Sequence, residues 1–177
     1  IYEPSQLSTY VIASTPTACV GDTIVLSGIT AGGVPSYAYL WANSVLTPTL
    51  AVSESTAGSA SYTLISTDAN NCIANGIGTV TFIARPAIAV SNASICPLKT
   101  GTMSASGATS YTWNGSVVGN SLSASPAVNT TYSIVGSAQG CTSTATASIS
   151  LLQVPTPTIL SNSPICNGQN LVLNGGG

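Results

Sequence analysis

The amino-acid sequence predicts an all-β protein built from tandem β-sandwich modules. Polar and apolar residues alternate for eight residues from Thr144 to Leu151, which places every second side chain on one face of an extended strand. No segment shows a sustained apolar period of 3.6 residues, and β-branched residues punctuated by Gly and Pro dominate the chain. A series of cysteine, aromatic pair, tyrosine and cysteine also runs twice in the same order, which indicates repeated modules.

This repeated series sets the predicted module boundaries. It begins a third time at Cys166, roughly 70 residues after the start of its second copy. The predicted organisation is the end of a preceding module or a linker at 1–8, module 1 at 9–86, module 2 at 87–155, and the start of a truncated module 3 at 156–177. The two full copies comprise Cys19, Tyr39, Trp41, Tyr62 and Cys72, and Cys96, Tyr111, Trp113, Tyr132 and Cys141.

Early in each module, a short strand is predicted after the first cysteine. In the first module this strand is Thr23–Ser27, and in the second it is Gly101–Ala105. Asn170–Gly175 repeats the first pattern after Cys166, so we expect the third module to be cut off just after its second strand.

An aromatic strand follows in each full module, after a loop that contains Gly. A tryptophan on the third strand of a sandwich, with a cysteine on either side in the sequence, most often packs in the core. The alternative is a solvent-facing platform on which a sugar ring stacks. The residues predicted to be core aromatics are Trp41, Tyr62, Trp113 and Tyr132.

Each full module is predicted to end in a hairpin whose turn carries the second cysteine. Tyr62–Ile65 leads through the turn Asp68–Cys72 into Thr79–Ala84, and Tyr132–Val135 and Thr144–Leu151 are the equivalent strands of the second module. These turns are rich in residues that hydrogen-bond their own backbone or tolerate positive φ, which favours tight connections.

The five cysteines suggest one disulfide within each module. The predicted pairs are Cys19–Cys72 and Cys96–Cys141, with Cys166 bonded to a partner outside the chain. On the loop-entropy model each of these bridges stabilises its module by about 4 kcal/mol. The alternatives are free buried thiols and a metal site, and the chain has neither histidine nor CxxC pairs to favour the metal.

Charge and composition exclude several classes of function. The chain has two basic and four acidic residues, so it lacks the cations that nucleic acid or anionic lipid would need. No stretch approaches 18 consecutive apolar residues, and we expect no membrane insertion. The absence of histidine removes the usual general base of nucleophilic catalysis. We therefore predict no enzyme, no catalytic residues, no cofactor and no metal.

Two carboxylates and four glycosylation motifs leave alternatives open. Asp22 and Asp68 flank the predicted first bridge and could hold a calcium ion, although turn-capping side chains are the favoured interpretation. Asp22-Thr23-Ile24 resembles a short O-glycosylation signal at Thr23. The N-glycosylation pattern occurs at Asn92, Asn114 and Asn129.

The opening, middle and closing motifs of the modules resemble those of a known group of repeats. These motifs are Ser94-Ile95-Cys96, Ala108–Trp113 and Thr131–Ile134, and Ser163–Cys166 repeats the first of them. They are similar to the immunoglobulin-like and polycystic-kidney-disease-like repeats of very long Bacteroidota surface proteins, including gliding-motility adhesins and type IX secretion cargo. The resemblance implies tandem immunoglobulin-like β-sandwich modules, each with one disulfide, in a secreted or cell-surface protein.

Together these patterns predict an extracellular structural or adhesive repeat protein that forms a stalk or filament on a bacterial surface. Its expected partners are like modules of the same or neighbouring chains, in a homopolymer, and surface glycans. The alternative is a carbohydrate-binding immunoglobulin-like module of a secreted enzyme.

Overall fold

The computed structural model describes residues 3–176, and this part of the chain is all-β, with seventeen strands and no helix. It divides into two compact units. The first extends to Ala87 and includes Gly107–Ser110 and Gly136–Ser143, and the second comprises Ile88–Ser106, Tyr111–Val135 and the described residues from Thr144 onward. Two segments of predicted module 2 therefore belong to the first unit.

The first sandwich consists of two sheets. The exposed and inward-facing residues alternate along its strands, because successive side chains of an extended strand point to opposite faces. One sheet has the antiparallel order β1 (Ser8–Ala13), β3 (Ile24–Ala31) and β5 (Thr49–Val52). The other has the order β2 (Thr17–Cys19), β7 (Ile73–Ile83), β6 (Gly58–Thr67) and β4 (Ala38–Trp41), with β2 parallel to β7 and the other neighbours antiparallel.

The core of this sandwich lies between the two sheets. Ile24 and Leu26 of β3 face Val80 and Phe82 of β7 in one cluster of buried side chains that also contains Trp41. Every second residue of β7 from Gly76 to Phe82 is buried, as the period-2 pattern predicts. Two facing sheets with a buried tryptophan on the strand after β3 form an immunoglobulin-like sandwich.

The second sandwich repeats this plan with shorter outer strands. Its buried side chains include Met103, Trp113, Ile134 and Ile149. One sheet has the order β13 (Ser121–Ala124), β10 (Gly101–Ser106) and β8 (Ala89–Val90). The other has the order β12 (Val117–Val118), β11 (Ser110–Trp113), β14 (Thr130–Ala138), β15 (Cys141–Leu151) and β9 (Ala93–Ile95), with β9 parallel to β15.

A two-stranded hairpin follows, formed by β16 (Thr158–Ser161) and β17 (Leu173–Gly176). All described residues from 152 to 176 are exposed. The assignment of 156–177 to a third module stays a prediction, and its last residue lies outside the described part of the chain. Of the predicted linker 1–8, residues 1 and 2 also lie outside it, whereas the backbone of Ser5 accepts a hydrogen bond from Gly33 N–H in the first unit.

Candidate functional site

The candidate site is built around a disulfide between Cys19 and Cys141. Cys19 ends β2, whose parallel pairing places it opposite Ile83 of β7. Cys141 begins β15 directly after Gln139 and Gly140, which both have positive φ, as in the two-residue hairpin turns that suit the twist of paired strands. The Cα atoms of the two cysteines lie 5.6 Å apart, and Cys141 is buried.

Arg85 anchors the backbone on both sides of this bond. Its Nε donates to the carbonyl oxygen of Val20, next to Cys19, and its Nη1 donates to that of Thr142, next to Cys141, each at 3.0 Å. Its Nη2 forms an ion pair with Asp22. The planar guanidinium has five N–H donors in a fixed arrangement, so one side chain can hold three acceptors at once. All of these residues belong to the first compact unit.

The predicted pairs Cys19–Cys72 and Cys96–Cys141 are not the pairs that the structure forms. One disulfide is present among the described residues, rather than one per module, and Cys72, Cys96 and Cys166 have free, exposed thiols. Loop entropy ranks pairs by separation along the chain, but a bond requires Cα atoms within roughly 7 Å. The hairpin tip at 136–143 meets Cys19 because it packs in the first unit.

Asp68 holds the loop that connects β6 and β7. One carboxylate oxygen accepts from the backbone N–H of Val34, and the other accepts from those of Asn70 and Cys72, at 2.8 to 2.9 Å. The Val34 N–H is the largest cause of an Asp68 pKa below its ordinary value, and burial opposes it. This is the turn-capping role that the sequence favoured.

The carboxylates of Asp22 and Asp68 have separate partners, so neither supports the calcium alternative. Within residues 3–176, no three His, Cys, Asp or Glu side chains form a group that could hold a metal ion. The other acidic contact in this sandwich is between Glu54 and Tyr62, whose hydroxyl donates to the carboxylate at 2.9 Å. Burial and then this contact raise the pKa of Tyr62 to about 12.

The two tryptophans occupy equivalent core positions. Trp41 is 1% exposed and Trp113 is fully buried, and each indole N–H donates to the backbone carbonyl six residues later, Thr47 or Gly119. A buried indole with a satisfied N–H packs the core and offers no face to a sugar. Neither tryptophan can therefore serve as a platform for a sugar ring. Tyr62 and Tyr132, the other two predicted core aromatics, are half-buried.

The asparagines of the three N-glycosylation motifs form hydrogen bonds with the backbone of nearby strands. The side-chain oxygens of Asn92, Asn114 and Asn129 accept hydrogen bonds from backbone N–H groups in β15, β14 and β15, respectively, at 2.8 to 3.0 Å. All three residues and Thr23 are exposed. Their sequence motifs thus coincide with a structural role, and glycosylation stays a prediction.

The outer faces of the first sandwich carry exposed apolar side chains. Tyr10 and Ile12 lie on the outer face of the β1 sheet, and both are about half exposed. On the other sheet Leu40 and Ile77 are exposed, and Ile77 reaches 66%. These positions help to explain a positive mean hydropathy of +0.43 in a chain whose buried cores are small. Among the described residues, no helix is long and apolar enough to cross a membrane.

Comparison with known proteins gives similarity to several solved structures. The three N-terminal domains of the highly immunogenic outer capsid protein of bacteriophage RB49 are 16% identical, covering 97% of this chain and 69% of theirs, with a TM-score of 0.43. The C-terminal 282-residue fragment of intimin, in complex with the intimin-binding domain of its translocated receptor, is also 16% identical, covering 92% and 68%, with a TM-score of 0.46.

The eight N-terminal immunoglobulin domains of Down syndrome cell adhesion molecule are 11% identical, with a TM-score of 0.44. This chain is covered to 89% and spans 25% of that structure. No protein-family model matches the chain, and no curated protein does.

Proposed function

We propose that the chain is an extracellular structural or adhesive repeat protein whose modules assemble into a stalk or filament on a bacterial surface. The observation that carries this proposal is the combination of tandem sandwiches, exposed apolar side chains on both outer faces of the first one, and almost no charge. Ile12 and Ile77 are exposed on opposite sheets of the same sandwich, and the whole chain has two basic and four acidic residues. Charged side chains normally block association between sheets and strand edges.

The disulfide supports an oxidising location, because such bonds persist outside the reducing cytosol. The resemblance of the opening and closing motifs to Bacteroidota surface repeats belongs to the same proposal. Labelling of intact cells with an antibody against the chain tests the location. Signal on unpermeabilised cells is expected, and labelling only after permeabilisation would contradict a surface role.

Sedimentation velocity over a range of concentrations, with electron microscopy of the same samples, tests assembly. The native chain is expected to form species larger than a monomer, and Ile77→Lys is expected to shift them to monomers because it replaces an exposed apolar side chain with a charge. Gln153→Lys is the control, since it adds the same charge at an exposed residue outside both sandwiches. A native chain that stays monomeric at the highest concentration would contradict the proposed assembly.

A further inference from the structure

Cys19, Cys96 and Cys166, the cysteines that open the three copies of the repeat, lie in turns of the same type. In each case the carbonyl oxygen of the cysteine accepts from the backbone N–H three residues later, at 2.9 Å for Cys19, 3.1 Å for Cys96 and 3.0 Å for Cys166. The residue two positions after the cysteine has positive φ in all three, with Gly21 at 85°, Leu98 at 66° and Gly168 at 87°. The structure therefore identifies the three cysteines as equivalent, independently of their sequence motifs.

The first two of these turns also follow the same kind of strand, a short one that runs parallel to the last long strand of its sandwich. Cys19 ends β2, which runs parallel to β7, and Cys96 directly follows β9, which runs parallel to β15. Cys166 lies between β16 and β17 and has no such parallel strand among the described residues. Cys96 thus reproduces the surroundings of Cys19 more closely than Cys166 does.

The disulfide found among residues 3–176 joins an opening cysteine to a hairpin-tip cysteine of the following repeat. Cys19 opens the first repeat, and Cys141 lies at the tip of the second hairpin. Cys72 is the tip cysteine of the first hairpin, between β6 and β7. The same rule would pair Cys72 with an opening cysteine of another repeat, and Cys96 with another hairpin tip. A second copy of the chain supplies both partners.

We propose that Cys72 of one copy and Cys96 of another form an intermolecular disulfide equivalent to Cys19–Cys141. The contact joins two different surfaces, so it repeats head to tail and extends into an open chain of copies. This inference rests on the proposed assembly of like modules, and it names a covalent link for it.

A cation lies near Cys96 and a buried carboxylate lies near Cys72. Asp22 follows Cys19 by three residues and pairs with Arg85 at the existing disulfide. Lys99 takes the position of Asp22 after Cys96, and the ionised Asp68 holds the backbone N–H of Cys72. The approach of Cys96 to Cys72 therefore brings the exposed Lys99 into the field of the buried Asp68 carboxylate, without a direct ion pair. The residue in that position after Cys166 is the neutral Gln169.

The oxidant for this step is a low-molecular-weight disulfide such as oxidised glutathione. The thiolate of one cysteine attacks it and releases one glutathione thiol, and the thiolate of the second copy then displaces the other. Two protein thiols are oxidised, one glutathione disulfide is reduced to two thiols, and the two protons end on those thiols.

The test uses the full chain in a mixture of oxidised and reduced glutathione, followed by non-reducing electrophoresis and mass spectrometry of cross-linked peptides. A ladder of oligomers that collapses on reduction is expected, with Cys72–Cys96 as its main cross-link. No ladder, or cross-links that join like with like or involve mainly Cys166, would overturn the proposal.

Complementary variants sharpen this test. On non-reducing denaturing electrophoresis, Cys72→Ser and Cys96→Ser are each expected to show no covalent oligomer. Their mixture is expected to give a covalent dimer and nothing larger, because each copy offers one half of the bond. Cys166→Ser is the matched control and should keep the full ladder. Lys99→Glu is expected to slow ladder formation several-fold, most strongly at low salt.

A last arm separates this inference from the proposed function. Filaments formed by alkylated chain, together with no Cys72–Cys96 cross-link in the unmodified chain, would overturn the bond and leave the assembly proposal in place. Filaments that require the unmodified thiols would support both.

Discussion

The two sandwiches share a core plan but differ in how closely the outer sheet approaches the last long strand. β7 has Gly76 and Gly78 where β15 has Ala145 and Ala147, four and six residues after the tip cysteine. A Cβ at Gly78 would lie 2.4 Å from Cγ1 of Val11 in β1. The glycines therefore let the six-residue β1 lie directly against β7, whereas the corresponding β8 of the second sandwich has two residues.

The opening turns differ in a second way. The position with positive φ is Gly21 in the first sandwich and Leu98 in the second, and a left-handed conformation strains a residue with a Cβ. The cysteine of the first turn is bonded and that of the second is free. One strand pattern thus supports two sandwiches that differ in the length of the strand beside the last long strand and in their opening turns, and a few small residues accompany the difference.

The largest effect is expected from removing the cross-link. Cys19→Ala with Cys141→Ala should lower the free energy of unfolding in urea by up to about 5 kcal/mol, because the bond spans 122 residues of the unfolded chain. Cys72→Ala with Cys96→Ala is the matched control and should change it by less than about 0.5 kcal/mol, as both residues are exposed. Equal losses in the two double variants would contradict the observed pairing.

Exchange of the small residues in the last strand tests the packing difference. Gly78→Ala should destabilise the first sandwich by about 1–3 kcal/mol, since the new methyl group must displace Val11. Ala147→Gly should cost the second sandwich about 1 kcal/mol through backbone entropy. Hydrogen exchange of the two sandwiches measures each change separately. A neutral Gly78→Ala would show that β1 does not need the glycine.

The strained turn should respond in the opposite direction. Leu98→Gly is expected to raise the free energy of unfolding by about 1 kcal/mol, because Leu98 is 96% exposed and loses little packing when removed. Gly21→Leu should lower it by a similar amount at the equivalent position of the first sandwich. Urea unfolding of both variants gives the comparison, and a destabilised Leu98→Gly would contradict the assigned strain.

The smallest effect appears only in acid. The folded-state pKa of Asp68 lies below its ordinary value, so the carboxylate contributes stability above about pH 4, and this is lost as pH falls through the folded pKa. The second sandwich has Ala138 in the place of Asp68. Urea midpoints between pH 2 and pH 5 should therefore fall more steeply for the native chain than for Asp68→Asn. Identical slopes would show that the loop does not depend on the carboxylate.

The strands and the core were largely readable from the sequence. Alternation along 79–84 predicts that Val80 and Phe82 are buried, and both are, because burial in a two-sheet sandwich follows the side-chain period of a strand. The positions of Trp41 and Trp113 follow from the same pattern. The repeat series also placed the second cysteine of each module at a hairpin tip.

The site was less predictable. Arg85 is one of two basic residues, yet its contacts with Val20 and Thr142 join segments 57 to 65 residues away from it in the chain. The only signal in the sequence was the scarcity of charge, since an isolated Arg in such a chain suggests a specific partner, which the structure identifies as Asp22. The hydrogen bonds of Asn92, Asn114 and Asn129 with strand backbone were equally unpredicted, because the sequence around these residues indicates glycosylation motifs.

The sequence by itself determined the all-β class, the internal repeat and the aromatic core, because these depend on alternation and spacing that each strand carries locally. Only the tertiary structure decided the bond between Cys19 and Cys141. Disulfide chemistry depends on which sulfur atoms meet in space, and here the second hairpin tip packs in the first unit, where its cysteine comes within bonding distance of Cys19. The spacing of the cysteines along the chain does not predict that contact.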